Sequence, residues 1–218
     1  MTRIAHALDE VEALGGYKIL YADCPWSYAQ GGRGSIDGKY SGMSIDALCA
    51  LPITRLVSKD AVLFTWGTWP CLPEMMRTIT AWGFVYKTCG FVWVKYREPS
   101  KRHHVGGGFW TRANTEYCLI AVRGKNHPKR LDTSKGIRQL VETEPEEILE
   151  APLTEHSAKP AIVRDRIVQL MGDLPRIELF ARERVAGWDA WGDDPRLGGS
   201  DVALIENCDL RERESECL

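Results

Sequence analysis

The chain has 218 residues, 44% hydrophobic and 27% charged, with a formal charge of −2, which supports one soluble domain and excludes both intrinsic disorder and a disulfide-stapled miniprotein. Its longest apolar runs, such as Ala61–Phe64 and Cys118–Val122, fall far below the ~20 residues of a membrane helix, and Asp9, Glu10 and Glu12 interrupt any secretion signal, so a cytoplasmic protein without a membrane partner is expected. Seven dispersed cysteines form no C-x-x-C pair, which fits free thiols in a reducing compartment and argues against a metal site.

Residues 1–16 read as a short amphipathic arm ending at Gly15-Gly16. Tyr17–Tyr21 has strand character and runs directly into Ala22-Asp23-Cys24-Pro25-Trp26. Residues 27–42 form a glycine-rich stretch long enough to suggest a functional loop. Asp60–Trp66 is a continuous apolar run, as for a strand covered on both faces. Leu72, Met75, Met76 and Ile79 then recur at helical spacing, with Gly83 closing the helix. Phe84–Val94 and Thr115–Val122 supply two more strands, separated by a glycine-rich, basic loop over Arg97–Arg112. Residues 124–150 alternate blocks of charge and have little periodicity.

The final unit is the clearest. Lys159-Pro160 opens a helix whose face carries Val163, Ile167, Leu170 and Met171. Gly172 and Pro175 stop it, and Ile177–Phe180 is the next strand. The alternation predicts an α/β sandwich with helices around a mostly parallel sheet. From about Pro195 the chain reads as a tail with too little apolar area to pack. The expected organisation is therefore an arm (1–16), one domain (17–194) and an acidic, flexible tail (195–218).

From Asp193 onward there are eight acids and three bases, so residues 1–192 carry about +3. Lys95, Arg97, Lys101, Arg102 and Arg112 cluster in one loop region, and Arg123–Arg138 is basic as well. Such groups can neutralise phosphates, although solvated loops also carry charge. On a nucleic-acid reading, the loops at 27–42, 97–112 and 124–150 would grip the backbone.

Asp23-Cys24-Pro25-Trp26 places a carboxylate, a constrained turn and an indole at a strand end. Pro25 drives Cys24 towards an extended conformation and keeps its carbonyl out of a helix. Two acceptors and a flat face suit a planar amine, both N–H groups being held while the ring stacks on Trp26. An adenine N6 amine is a poor nucleophile because its lone pair is delocalised. Bonds from its hydrogens to Asp23 and the Cys24 carbonyl would draw it towards tetrahedral geometry and stabilise the developing positive charge. Taken alone, these four residues read equally well as a turn with the indole in the core. Cys24 lacks an adjacent histidine to activate it, and Gly106-Gly107-Gly108 lacks the context of a dinucleotide fingerprint.

The tetrapeptide stands in a series: Lys39–Ser44, Leu63–Trp66, Trp93-Val94-Lys95, Glu116–Leu119, Ser157–Pro160 and Ile177–Arg182. In order and spacing this series resembles the MT-A70 family of adenine N6-methyltransferases, over roughly Tyr17 to Asp194. The compact length is similar to bacterial and phage members. The resemblance implies a Rossmann-like methyltransferase using S-adenosylmethionine, with the catalytic motif preceding the cofactor strand. It implies catalytic roles for Asp23, Cys24, Pro25 and Trp26, with Cys24 where the family has proline, and a substrate-side role for Tyr40. It further implies cofactor contacts from Asp23, Lys159, Glu178, Phe180, Arg182, Asp193 and Asp194, the last two standing where the family carries an amide side chain.

The expected function is therefore S-adenosylmethionine-dependent methylation of the N6 amine of adenine in nucleic acid, with DNA favoured over RNA and the base flipped or unpaired. Lys95, Arg97, Lys101, Arg102 and Arg112 would meet the backbone. The alternative is a catalytically inactive nucleic-acid-binding subunit that supports an active partner, and a planar protein amide is a third acceptor. A homodimer or a methyltransferase-like partner subunit is compatible with either.

Overall fold

The computed structural model describes residues 6–26, 43–97, 102–103, 110–131, 136–143 and 158–203. The elements in chain order are β1 (His6–Ala7), α1 (Leu8–Ala13), β2 (Tyr17–Ala22), α2 (Ile45–Ala50), α3 (Ile53–Leu56), β3 (Val57–Gly67), α4 (Leu72–Ala81), β4 (Val85–Arg97), β5 (Arg102–His103), β6 (Thr115–Arg123), β7 (Leu140–Thr143), α5 (Ile162–Met171), β8 (Arg176–Leu179), β9 (Asp189–Trp191) and β10 (Val202–Ala203). Short 3-10 turns occupy Trp69–Cys71 and Pro195–Leu197.

An eight-stranded sheet runs β5-β4-β6-β3-β2-β8-β9, with β7 paired to β4. Strand β2 pairs in parallel with β3 and β8, and β8 with β9. Strand β6 is antiparallel to both β3 and β4, and β5 to β4. The sheet is thus mostly parallel, as the strand–helix alternation predicts, with two strands reversed.

Alternation along β2 divides the core. Leu20 and Ala22 face Leu48 of α2 and Met75, Ile79 and Trp82 of the α4 region. Ile19 and Tyr21 face Val163, Ile167 and Met171 of α5, together with Phe64 and Trp66. Both faces are covered, so β3 is buried without interruption from Ala61 to Gly67. Each fully buried Leu, Ile or Phe contributes about 1.5–3 kcal/mol. Helix α4 buries Met75 and Ile79, with Leu72 and Met76 packed alongside, as their spacing predicts. Helix α5 begins at Ile162, just after the expected opening, because the amides of Val163 and Arg164 still bond to the carbonyls of Pro160 and Ala161.

The ends of the domain pack more closely than their composition suggests. Val11 is buried, and Gly16 lies so near β3 that a Cβ there would stand 2.6 Å from the Ser58 amide nitrogen. Residues 195–203, expected to begin a loose tail, are held in place. Leu197 and Val202 are buried, β10 pairs with β1, and Asp201 accepts bonds from the Ala190 amide (3.0 Å) and the Arg184 guanidinium (2.7 Å). Two apolar side chains and one satisfied buried carboxylate suffice where the neighbours already exist. Residues 204–218 lie outside the described residues.

Candidate active site at the carboxyl edge of the sheet

Chain direction determines where a site can form. Residues leaving β2 pass through α2 and α3, which lie on one face of the sheet, whereas α5, which feeds β8, covers the other. The carboxyl ends of β2 and β8 therefore flank the point where connections diverge, the usual crevice of an open α/β sheet. Asp23 follows β2 there, and Phe180 follows β8.

Four side chains of alternating charge cross this edge. Lys95 of β4 lies 2.5 Å from Glu116 Oε1 on β6, Glu116 Oε2 lies 3.1 Å from Lys159 Nζ, and Lys159 Nζ lies 2.8 Å from Asp23 Oδ2. The side chains of Lys159 and Glu116 are 8% and 9% exposed, and that of Asp23 is 21% exposed. Lysine at a helix start is ordinarily solvated, but here both neighbours are acids. Burial works against the Lys159 ammonium, yet Asp23 and Glu116 outweigh it and hold its pKa above the usual range. Burial likewise opposes ionisation of Glu116, and Lys159 and Lys95 overcome it to keep the carboxyl below its ordinary 4.5.

Aromatic groups frame the row. The half-buried Trp26 donates its indole N–H to the Trp66 carbonyl at 3.0 Å, and Trp66 in turn donates to the Tyr21 hydroxyl at 2.7 Å. Lys159 Nζ stands 6.0 Å from the Trp66 ring centroid, and Lys95 Nζ 4.7 Å from that of Trp93. Trp26 is thus neither lost in the core nor loose. The turn is tight as well: the Trp26 amide bonds to the Cys24 carbonyl at 2.9 Å, and the Pro25 carbonyl accepts from Met43 at 3.0 Å. A carbonyl has two lone pairs, so the Cys24 oxygen keeps acceptor capacity. Burial, reinforced by the Asp23 charge, pushes the Cys24 thiol far above its normal range, which leaves it inert as a nucleophile.

The remaining expected residues divide. Phe180 adopts φ of +60°, rare for a residue with a Cβ, and its ring meets Trp191 edge-on at 5.2 Å. Arg182 is half-buried just beyond it, and Asp193 is exposed. Glu178 is buried and engaged bidentately by Arg164 of α5 at 2.7 and 2.9 Å. Asp194 caps the 3-10 turn by accepting from the Arg196 amide at 2.9 Å, and its carboxylate pairs with the Arg196 guanidinium. Arg112 is exposed on the segment leading into β6. Tyr40 and Lys101 lie outside the described residues. The backbones of Arg97 and Arg102 pair between β4 and β5.

Two findings depart from the sequence reading. Glu116 joins Lys95 to Lys159, and its signal was a single acid at the head of an apolar strand. Arg123, Lys125 and His127, expected with the backbone-gripping loops, instead line a cleft with Lys87 at the opposite end of the sheet. Strand β6 runs antiparallel to β3, with Gly67 beside Tyr117 and Ala61 beside Arg123, so its end points away from Asp23.

Fold and edge together define an α/β protein with a row of paired charged side chains at the carboxyl ends of its central strands. The MT-A70 family model matches residues 17–194, and the chain belongs to that family. It is 31% identical over 197 residues to the type II methyltransferase M.MunI of Mycoplasma sp., covering 81% of this chain and 76% of that protein. It is 26% identical over 207 residues to an MT-A70-like N(6)-adenosine-methyltransferase of Arabidopsis thaliana, covering 93% of this chain but 26% of that longer protein. No helix among the described residues is long and apolar enough to cross a membrane.

Stability should respond to the buried row. Removing one partner of a buried pair costs about 3–5 kcal/mol, so Glu116→Ala should lose stability on that scale in urea titrations. A carboxyl held below its ordinary range adds stability above that range and loses it as pH falls through the folded value. Wild-type stability should therefore decline from about pH 5 downwards, and Glu116→Gln should flatten that decline. An unchanged slope would exclude Glu116 as its source.

Proposed function

We propose that this chain transfers a methyl group from S-adenosylmethionine to the N6 amine of adenine in nucleic acid, with DNA preferred to RNA. The observation that carries the reading is the carboxylate of Asp23, fixed at the end of β2 by a buried ammonium, beside the tethered and partly exposed indole of Trp26. The name of the Arabidopsis relative specifies adenosine N6. The match over 76% of M.MunI, by name a type II methyltransferase, supports methyl transfer, and the DNA preference follows the likeness in length to bacterial and phage members of the family.

The residues at the edge suit the cofactor. Lys159 offers a positive centre to a carboxylate, Phe180 an apolar wall fixed by its backbone, and the exposed Asp193 an acceptor for ribose hydroxyls. Lys159, Phe180, Arg182 and Asp193 would hold it, while Asp194 contributes mainly by shaping the turn. When bound, the cofactor supplies an electrophilic methyl group on a sulfonium. Asp23 accepts one N–H of the target amine, the Cys24 carbonyl accepts the other, and Trp26 stacks on the ring. Lys159 keeps the Asp23 carboxylate oriented, so no reorganisation is needed as charge builds on nitrogen. The released proton leaves along the bond to Asp23. A base stacked within a duplex cannot reach this edge, so the adenine is flipped or unpaired.

Incubation with labelled S-adenosylmethionine and, separately, duplex DNA, single-stranded DNA and RNA, followed by nucleoside mass spectrometry, tests the reading. N6-methyladenine should form, most of it in a DNA pool. Label confined to protein, or absent from all pools, would overturn it.

A further inference from the structure

Beyond Trp26, a second indole stands at the same edge. Trp69 begins the turn after β3 and is 54% exposed. Single exposed aromatics are common; this one is distinguished by how firmly it is fixed. Its N–H donates to Thr115 Oγ1 at 3.0 Å, and its ring lies 4.5 Å from that of the fully buried Tyr117. The Tyr117 hydroxyl donates to the Thr68 carbonyl at 3.1 Å. Pro70 stiffens the turn, and a Cβ on Gly67 would stand 2.7 Å from the Met75 sulfur, so the segment is seated closely on α4.

The same segment carries Trp26. Its N–H bonds to the Trp66 carbonyl, two residues before the carbonyl held by Tyr117. Thr68 is extended, so these anchors are about 7 Å apart at ~3.3 Å per residue. Both indoles are therefore anchored through one short stretch of chain, Trp66–Trp69, at the end of β3. The exposed Trp110 and Arg112 lie on the segment leading to Thr115, adding an aromatic and a positive charge to that approach.

We propose that Trp69 is a second base platform, on which the nucleotide next to the target adenine stacks. This rests on the nucleic-acid reading above. A pre-fixed indole loses little freedom on binding, and stacking tolerates any base because each has a π face. Trp69 therefore strengthens binding and fixes register without selecting sequence by hydrogen bonds.

The test is a cycle of affinities, measured by fluorescence anisotropy on the full chain with an oligonucleotide containing one adenine. Trp69→Ala should weaken binding about five- to tenfold, the lower part of the range for one stacked base, and Trp69→Phe should restore most of it. Loss of the Thr115 hydrogen bond and the Tyr117 contact should lower the melting temperature of Trp69→Ala, so affinities are compared where both proteins are folded, and S-adenosylmethionine affinity should stay unchanged there. Placing an abasic site on one particular side of the adenine should cost the wild type a similar factor and cost Trp69→Ala nothing further. Unchanged affinity in Trp69→Ala, or penalties that simply multiply for abasic sites on both sides, would overturn the platform. So would a change in oligomeric mass without a change in oligonucleotide affinity. If oligonucleotides bind without being methylated, the functional reading fails and the cycle still decides the role of Trp69; if none binds, both fail.

Discussion

Lys159→Ala should destabilise the fold by about 3–5 kcal/mol, the range for removing one partner from a buried ionic group. The variant leaves the Asp23 and Glu116 carboxylates facing one another, with only Lys95 to compensate at the far end. Methyl transfer should fall with it, because Asp23 loses its fixed orientation and the cofactor loses a positive centre. Lys159→Met separates lost packing from lost charge. It keeps the apolar stem, so packing near Trp66 survives while the charge is removed. Urea titration reads the stability loss, and calorimetric S-adenosylmethionine binding should show both variants at least about tenfold weaker for the cofactor, one charge-assisted contact being worth ~1.5–3 kcal/mol. Wild-type cofactor affinity in Lys159→Met would remove Lys159 from the binding account.

Asp23→Asn should behave differently. The amide keeps the shape and one acceptor oxygen, and Lys159 keeps Glu116, so stability should change by only about 1 kcal/mol, typical of a single hydrogen bond. The negative charge opposite the reacting nitrogen is lost, and loss of one oriented electrostatic group commonly lowers a rate by about 10²–10³. Single-turnover transfer with saturating cofactor should fall on that scale, and Asp23→Ala should fall further. A rate within a few-fold of wild type would show that Asp23 does not act on the amine.

The legible parts of this fold share one property: their residues repeat. The run through β3, the spacing of Met75 and Ile79 in α4, and that of Val163 and Ile167 in α5 each state a periodicity that burial obeys. Direction has no such signature. Nothing local distinguishes Thr115–Val122 as a reversed strand, so the basic residues after it could not be assigned to an end of the sheet. The short strands β1, β5, β7 and β10 are similarly silent, since two to four residues cannot display a pattern.

The candidate site was legible in chemistry more than in geometry. Asp23 and Trp26 stand out because a proline-constrained turn follows a strand. Lys159 does not, since its character comes from Asp23 and Glu116, 136 and 43 positions away in the chain. Asp194 and Glu178 show the converse. Their side chains have structural partners in Arg196 and Arg164, and such partners follow from tertiary packing that one-dimensional spacing does not encode.

The central claim is that the edge beside Asp23 receives the exocyclic amine of adenine. It is tested most directly with an oligonucleotide whose single adenine is replaced by purine, which keeps the ring and lacks the amine. Labelled methyl transfer should be complete on the adenine oligonucleotide and absent on the purine one. Equal label in both would contradict the account.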